Sequence, residues 1–175
     1  MDAVALLRAM ETACRGAAAS LPQTVEPREV WSGIAFRLGD RPLLVPMGEV
    51  TETLPVPQLI AVPNTPDWVF GIANVRGRLL SVFDLRGLLY GAVAQTGYRS
   101  RVLVIDFEDI YSGLIVDEVY GLRHFPVDAY VSAGDRMDDV LKPYVRDGIQ
   151  DEDTFRGIFD IYTLADSARF MQVAV

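Results

Sequence analysis

Apolar and polar residues alternate in the first part of the chain body in a pattern that predicts a β-hairpin. Apolar residues alternate with polar or small ones within residues 31–38, residues 39–40 supply a glycine-containing turn, and an apolar run resumes at 43–45. A further strand is expected over residues 49–54. These segments are too short and too regularly interrupted for a buried helix, so we expect sheet here.

A second stretch has the same form. The apolar run at residues 101–107 is followed by a polar turn at 108–109 and by another apolar run at 111–119. Both runs are short and rich in β-branched residues, which favours strands over a helix. The sequence therefore predicts two separate hairpins.

The two hairpins resemble one another weakly. Residues 43–45 lead to Glu49 and Val50, and residues 113–116 lead in the same way to Glu118 and Val119. Several short strands at close intervals need closure or stacking to hide their edges. The repeat therefore predicts a mostly β protein made of two similar small barrels that share a core.

Both ends of the chain are expected to add helix. Residues 2–21 predict an amphipathic helix whose apolar stripe consists of Ala3, Leu7, Met10, Cys14, Ala17 and Leu21. Pro22 ends this helix and opens a linker. We expect a helical extension and linker over residues 1–30 and one domain over residues 31–175, closed after Asp151 by one or two helical turns.

Charge and composition narrow the class of partner. The chain has 175 residues and a formal net charge of −8, with no run of basic residues. Affinity for nucleic acid or anionic lipid is therefore not expected. The first residues lack the basic and apolar segments of a signal peptide, and charged residues interrupt any stretch that could insert in a membrane. We expect a cytoplasmic protein.

Few residues offer catalytic chemistry. His124 is the only histidine, which excludes a histidine-based catalytic triad and a two-histidine metal site. Cys14 is the only cysteine and lies among alanines, so an inert thiol is expected. Lys142 is the only lysine and precedes a proline in a predicted loop. We expect no enzymatic activity, no metal and no cofactor.

Two features of the sequence resemble phosphate-related motifs. The strand ending in Asp106 resembles the phosphoaspartate strand of a receiver domain, but the next element is predicted to be a strand rather than a helix. Asp106 and Asp109 are expected to cap or solubilise their turn. The glycines at 71, 77 and 87 are too widely spaced for a phosphate-binding loop. His124 or Asp106 as a phosphoacceptor remains the rival hypothesis from another functional class.

The most informative segment is residues 63–85, PNTPDWVFGIANVRGRLLSVFDL. It predicts a short helical turn begun by Thr65-Pro66, a glycine-permitted bend, a tight Asn-x-Arg-Gly corner and an alternating strand. Gly77 at this corner is expected to need a positive φ angle. A short helix is expected near residues 85–90.

This segment closely resembles the signature of the CheW family of chemotaxis adaptors, which carries Gly-Ile/Val-x-Asn-Leu/Val-Arg-Gly followed by an apolar strand ending in Asp-Leu. The resemblance continues through Val50 and Glu52 upstream and through residues 112–119 downstream, and it covers roughly residues 31–165. The start of the domain at residues 31–34 is similar to members from type IV pilus chemosensory systems.

The resemblance implies two five-stranded SH3-like barrels around a joint core and a non-enzymatic role. Its expected partners are the regulatory domain of a CheA-type histidine kinase and the cytoplasmic tip of a methyl-accepting chemoreceptor. Control of twitching motility by type IV pili is the expected pathway, and flagellar chemotaxis is the alternative. The N-terminal extension departs from the minimal adaptor.

Arg76 is the leading candidate contact residue because it matches the family's arginine and its planar guanidinium suits carboxylate recognition. The alternative is an internal ion pair with Asp84 or Glu49, since buried charges need partners. The full set of expected partner-binding residues is Arg76, Asn74, Gly77, Glu49, Val50, Glu52, Trp68, Phe70 and Asp84. Of these, the two aromatic residues are of a type found more often in a core than at a contact, although an aromatic side chain exposed beside a groove would make a good anchor.

Overall fold

The computed structural model describes residues 29–92, 96–107 and 110–174. The fold is mostly β, as predicted, and the strands run in the order β1 (Val30–Leu38), β2 (Arg41–Pro46), β3 (Glu52–Pro55), β4 (Val69–Val75), β5 (Arg78–Asp84), β6 (Arg101–Phe107), β7 (Ile110–Val116), β8 (Glu118–Pro126), β9 (Tyr130–Ser132), β10 (Asp147–Asp151) and β11 (Thr154–Ile158). The α-helices are α1 (Leu85–Tyr90), α2 (Ile161–Ala165) and α3 (Ala168–Ala174), and two single turns of 3-10 helix cover Val127–Ala129 and Gly134–Arg136. Among these described residues, no helix is long and apolar enough to cross a membrane.

Both predicted hairpins are present. The first is β1–β2, and the second is β6–β7, whose predicted turn at residues 108–109 lies outside the described residues, as does the predicted helix over 2–21. The helix expected near residues 85–90 and the closing helical turns are also confirmed, as α1 and as α2 with α3.

Several element bounds differ from the predictions. The strand expected over 49–54 is confined to β3, and the single strand expected over 111–119 is interrupted at Asp117, where β7 ends and β8 begins. His124 lies inside β8 rather than after a strand. The residues around Thr65-Pro66 form hydrogen-bonded turns and no helix. Strands β9, β10 and β11 carry too little apolar alternation to be predicted from the sequence.

The eleven strands form two curled sheets with matching internal order. One sheet has the order β8-β1-β2-β11-β10-β9, and the other has the order β3-β6-β7-β5-β4. In the six-stranded sheet, β2 of the hairpin β1–β2 pairs in parallel with β11 of the hairpin β10–β11. In the five-stranded sheet, β7 of the hairpin β6–β7 pairs in the same way with β5 of the hairpin β4–β5. The first five strands of one sheet therefore correspond one by one to the five strands of the other, and β9 is an addition.

Each half of the chain also contributes one strand to the sheet that is built mainly by the other half. After β2 the chain crosses to pair β3 with β6 of the second hairpin, and after β7 it crosses to pair β8 with β1 of the first. Each sheet therefore contains strands from both halves of the chain. This exchange explains how two small barrels form one domain with a common core.

The core consists of three clusters. The largest lies between the sheets and takes side chains from both of them and from the helices, including Phe36, Leu43, Val45, Phe83, Leu103, Ile105, Leu114, Leu88, Leu164 and Phe170. The second fills the five-stranded barrel, with Ala73, Leu80, Val82, Val102, Val104 and Ile115, and the third fills the six-stranded one, with Ala35, Leu44, Phe125 and Ile149.

Continuous apolar runs follow from this arrangement. Leu43 and Val45 point into the joint cluster while Leu44, between them, points into its own barrel. The same alternation sends Leu103 and Val102 of β6 to different clusters. Successive side chains of a strand face opposite sides, so a strand buried on both sides needs apolar residues at every position.

Candidate functional site

The Asn-x-Arg-Gly segment forms the tight turn between β4 and β5. Val75 pairs with Arg78 across a two-residue connection in which Arg76 has φ +52° and Gly77 has φ +84°. Two central residues with positive φ define a type I′ turn, whose twist matches that of the flanking strands. The side-chain Oδ1 of Asn74 accepts the backbone N–H of Gly77 at 2.9 Å. The positive φ predicted for Gly77 is confirmed, and Asn74 holds the turn closed.

Arg76 projects from this turn toward the opposite edge of the same sheet. Its Nη2 lies 2.7 Å from Oε2 of Glu52 on β3, although the Arg76 side chain is 81 % exposed. Strands β3 and β4 are the two edges of the five-stranded sheet, so this ion pair spans the seam where the sheet curls onto itself. The structure pairs Arg76 with Glu52 and not with Asp84 or Glu49, the two internal partners proposed from the sequence.

A second arginine adjoins the corner. Arg78 Nη1 lies 2.6 Å from Oδ2 of Asp106 on β6, and its guanidinium carbon lies 3.7 Å from the centre of the Tyr111 ring on β7. The hydrogen bond from Arg78 lowers the pKa of Asp106. Asp106, considered above as a turn cap or phosphoacceptor, is therefore the ion-pair partner of an arginine.

Both ion pairs line one open polar cleft of about 340 Å³, which we call the arginine cleft; its walls also include Thr51, Val75 and Tyr111. The sequence predicted Arg76 and Glu52 as contact residues and Asp106 only as a turn cap or phosphoacceptor, and it did not indicate Arg78 or Tyr111. The repeated arginine of Arg-Gly-Arg was a signal for Arg78. Nothing in the local sequence indicated that strands β5, β6 and β7 would assemble its partners.

A different surface lies on the other side of β3. An apolar groove of about 250 Å³ separates β3 from β1 and β8, and it is lined by Ile34, Met47, Gly48, Val50, Thr53, Val119, Gly121 and Leu122. Met47 and Leu122 are 65 % and 47 % exposed. Exposed apolar side chains collected in a concave groove are typical of a protein interaction site.

The two surfaces share the short segment that enters β3. Val50 and Thr53 line the apolar groove, whereas Thr51 and Glu52 line the arginine cleft. Thr51 is fixed to β6, because both its N–H and its hydroxyl donate to the carbonyl of Val104. A partner in the groove and a partner in the cleft would therefore contact opposite sides of the same few residues.

Comparison with known proteins identifies the family. The model of the CheW-like domain matches residues 32–169. The chain belongs to the CheW family. This confirms the resemblance inferred from the segment around the Asn-x-Arg-Gly turn, and the family is one of non-enzymatic scaffold and adaptor proteins.

Two relatives of this chain cover different shares of its length. Protein PilI of Pseudomonas aeruginosa is 41 % identical over 170 residues, which cover 97 % of this chain and 95 % of that protein. Protein FrzA of Myxococcus xanthus is 38 % identical over 92 residues, covering 53 % and 58 % of the two chains. The crystal structure of the scaffolding protein TtCheW from Thermoanaerobacter tengcongensis has the same fold, with a TM-score of 0.69 at 19 % identity, covering 81 % of this chain and 96 % of that one.

Three residues expected at the contact surface are buried or half-buried. Trp68 is buried in the joint core, with its ring centre 5.8 Å from that of Phe83. Asp84 is completely buried and begins α1, where its Oδ1 accepts the N–H of Arg86 at 3.1 Å. Phe70 is half-buried and packs against the interior of the five-stranded barrel. Packing inside the fold therefore accounts for Trp68 and Asp84, and a contact role for Phe70 stays a prediction.

Glu49 also lies away from the corner. Its side chain is half-buried, near Asp160 and the backbone of Ile161. Burial is the main cause that raises the pKa of Glu49 to about 7, and the neighbouring Asp160 carboxylate acts in the same direction. Glu49 and Glu52 therefore lie on different surfaces of the protein.

His124, the single histidine of the sequence, is an exposed residue of β8 whose Nδ1 lies 2.6 Å from Oγ of Ser32 on the neighbouring strand. Within the described parts of the chain, no group of three or more histidine, cysteine, aspartate or glutamate residues could hold a metal ion. The apolar groove and the arginine cleft each contain residues that the sequence predicts as partner contacts.

Proposed function

We propose that this chain is a cytoplasmic adaptor that couples a chemoreceptor to a CheA-type histidine kinase in the chemosensory pathway of type IV pilus twitching motility. The observation that carries the proposal is the apolar groove beside β3, because it is an open apolar surface next to a separate charged cleft. An adaptor needs two contact surfaces that different partners can occupy together.

The apolar groove suits the cytoplasmic tip of a methyl-accepting receptor. An amphipathic helix binds such a groove by inserting apolar side chains spaced along one face. Met47 and Leu122 are the exposed apolar residues of the groove walls, and Val50 forms its floor. Truncating or charging exposed groove residues should reduce binding without unfolding the protein.

The arginine cleft suits the regulatory domain of the kinase. Arg76 is exposed, so its guanidinium remains able to bind a partner carboxylate in addition to Glu52. The turn that presents it is rigid, since Asn74 closes it by a hydrogen bond. A rigidly presented arginine loses little entropy on binding, which makes it a good contact at an interface.

The pilus pathway is favoured by the full-length similarity to PilI. Several proteins named CheW match this chain over about half its length, for example that of Helicobacter pylori at 30 % identity over 52 % of the chain. These matches keep flagellar chemotaxis as the alternative. Deletion of the gene should abolish twitching and leave swimming intact; loss of swimming alone would establish the flagellar pathway.

Binding of the two partners can be measured separately by calorimetry, with a receptor-tip fragment and with the isolated regulatory domain of the kinase. Leu122→Glu should abolish binding of the receptor tip and spare the kinase domain. Ile60→Glu is the matched control, because Ile60 is 76 % exposed and is not part of the groove.

Failure of the unchanged protein to bind either partner at micromolar concentration would refute the adaptor function. Stable labelling of the protein by a kinase and ATP would favour the phosphoacceptor hypothesis.

A further inference from the structure

The connection between β2 and β3, residues 47–50, contacts two separate cavities. Met47, Gly48 and Val50 line the apolar groove, whereas the side chain of Glu49 enters a different cavity of about 200 Å³. The connection is short and tied to its neighbours: the N–H of Met47 donates to the carbonyl of Ser32, that of Glu49 to the carbonyl of Pro46, and that of Thr51 to the carbonyl of Val104. Glu49 therefore stands between two residues of the groove wall, Gly48 and Val50, while its own side chain lies in the other cavity.

The cavity that receives Glu49 solvates its carboxylate poorly. Oε2 of this carboxylate is buried and lacks a hydrogen-bond partner among the described residues. Ile158 and Phe159 form an apolar part of the cavity wall. A buried charged oxygen without a donor is unfavourable, because burial removes water and nothing replaces it.

Other charged and titratable groups face Glu49 from each neighbouring element. Asp160 lies at the start of α2, where its carboxylate accepts the N–H of Thr163 at 2.9 Å and is thereby kept in place. Arg146 and Asp147 line the cavity beside β10, and Tyr130 of β9 donates its hydroxyl to Asp147 at 3.1 Å. Like charge from Asp160 adds to the burial effect and raises the pKa of Glu49 to about 7.

Gly48 gives the connection an unusual backbone conformation next to Glu49. Its φ is +104°, which residues with a side chain rarely adopt, and no atom lies within 4 Å of the position where a Cβ would lie. Met47, on the other side of Gly48, is exposed, so its methyl group can report a change at the groove wall.

We propose that Glu49 is a proton-sensitive latch: when neutral it occupies its cavity and holds residues 47–50 in the groove-forming position, and when ionised it leaves the cavity and displaces the groove wall. The consequence for partner binding rests on the proposed function of the groove, but the latch itself does not. Acidification toward pH 6 is expected to favour the formed groove, and alkalinisation toward pH 8 to open it.

The latch can be tested on the full chain by labelling the methionine methyl groups with ¹³C and following Met47 by NMR as the pH changes. The Met47 signal should move with a midpoint near 7 in the unchanged protein. In Glu49→Gln it should stay at the low-pH position throughout. Asp153→Asn removes an exposed carboxylate from the β10–β11 turn and should titrate like the unchanged protein.

A second variant tests the electrostatic cause. Asp160→Asn preserves a residue type that can begin a helix but removes the like charge next to Glu49, so the Met47 midpoint should move to lower pH. A Met47 signal that does not titrate, or that titrates equally in Glu49→Gln, would overturn the latch. An unchanged midpoint in Asp160→Asn would overturn the proposed role of Asp160.

Binding measurements separate the latch from the function of the groove. The receptor-tip fragment should bind about threefold or more tightly at pH 6 than at pH 8, and this difference should disappear in Glu49→Gln. Equal affinity at both pH values in the unchanged protein would overturn the link between latch and groove. If Met47 titrates as expected but the fragment does not bind at either pH, the latch stands and the proposed receptor contact is refuted.

Discussion

Arg76 and Glu52 form an ion pair of 2.7 Å that joins the two edges of the five-stranded sheet, yet the arginine is 81 % exposed. An exposed pair of this kind contributes at most about 1 kcal/mol to stability. Arg76 also adopts a left-handed backbone conformation, which costs about 1 to 2 kcal/mol for a residue other than glycine. A contribution to stability therefore does not explain why an arginine occupies position 76, and this supports a role for Arg76 in partner contact.

Arg76→Glu should reduce affinity for the kinase regulatory domain or the receptor tip by about 2 kcal/mol or more, because it reverses the charge at the corner. The melting temperature should fall by only a few degrees, since the lost ion pair is exposed. Calorimetry and thermal unfolding measure the two effects.

The matched control is the double variant Arg76→Glu with Glu52→Arg, which restores the ion pair but not the charge presented to a partner. Normal binding by the single variant, or a large loss of stability, would refute the contact role.

Arg78→Ala should raise the pKa of Asp106 toward its ordinary value, because the hydrogen bond from Arg78 is the main cause that lowers it. NMR titration of the Asp106 carboxylate measures this change. Arg78→Lys retains the positive charge but not the planar contact over Tyr111, so it should give a smaller rise. An Asp106 pKa that is the same in all three proteins would show that this pair does not form in solution.

Glu49→Gln should stabilise the protein at pH 8 and have little effect at pH 5. The pKa of Glu49 is raised from 4.5 to about 7 in the folded state, so the folded protein holds a proton that the unfolded chain releases. The stability that this proton contributes is present below about pH 4.5 and is lost as the pH rises through 7. Because the side chain is only half-buried, we expect a gain of about 1 to 2 kcal/mol at pH 8.

Thermal unfolding at several pH values checks this prediction. The melting-temperature difference between Glu49→Gln and the unchanged protein should grow between pH 5 and pH 8, by a few degrees in total. A constant difference across this range would mean that Glu49 titrates normally.

Gly113→Ala should destabilise the five-stranded barrel. A Cβ at this position would lie 2.5 Å from Cγ1 of Val102 and 3.1 Å from Cδ2 of Leu80, both in the barrel interior. Overpacking of this kind costs about 1 to 3 kcal/mol, which denaturant unfolding can measure. Gly97→Ala is the control, because no atom lies within 4 Å of its Cβ position. Equal stability of the two variants would show that the barrel interior is loosely packed.

Much of the fold was predictable because its strongest signals are local. The hairpins β1–β2 and β6–β7 follow from alternating apolar runs separated by polar turns, and their weak similarity correctly indicated a duplicated architecture. Strands β9 to β11 were missed, since they are short and only partly apolar. For such strands, hydrogen bonding to a neighbour formed elsewhere in the chain outweighs their own sequence preference.

The candidate site was predictable in part. The turn at Asn74 to Gly77 follows from residues that favour positive φ, so its geometry is contained in the local sequence. Whether Trp68 and Asp84 are buried could not be decided from the local sequence, because burial depends on the packing of both sheets around α1.

The sequence by itself determined the β class, the two hairpins, the Arg76 turn and membership of the CheW family. Only the tertiary structure decided that Arg76 pairs with Glu52, that Arg78 meets Asp106, and that Glu49 and Val50 face different cavities. Local patterns report which residues favour strand or turn. Which strands become neighbours depends on the exchange of β3 and β8 between the two halves and on the curling of each sheet, and these follow from burying the joint core.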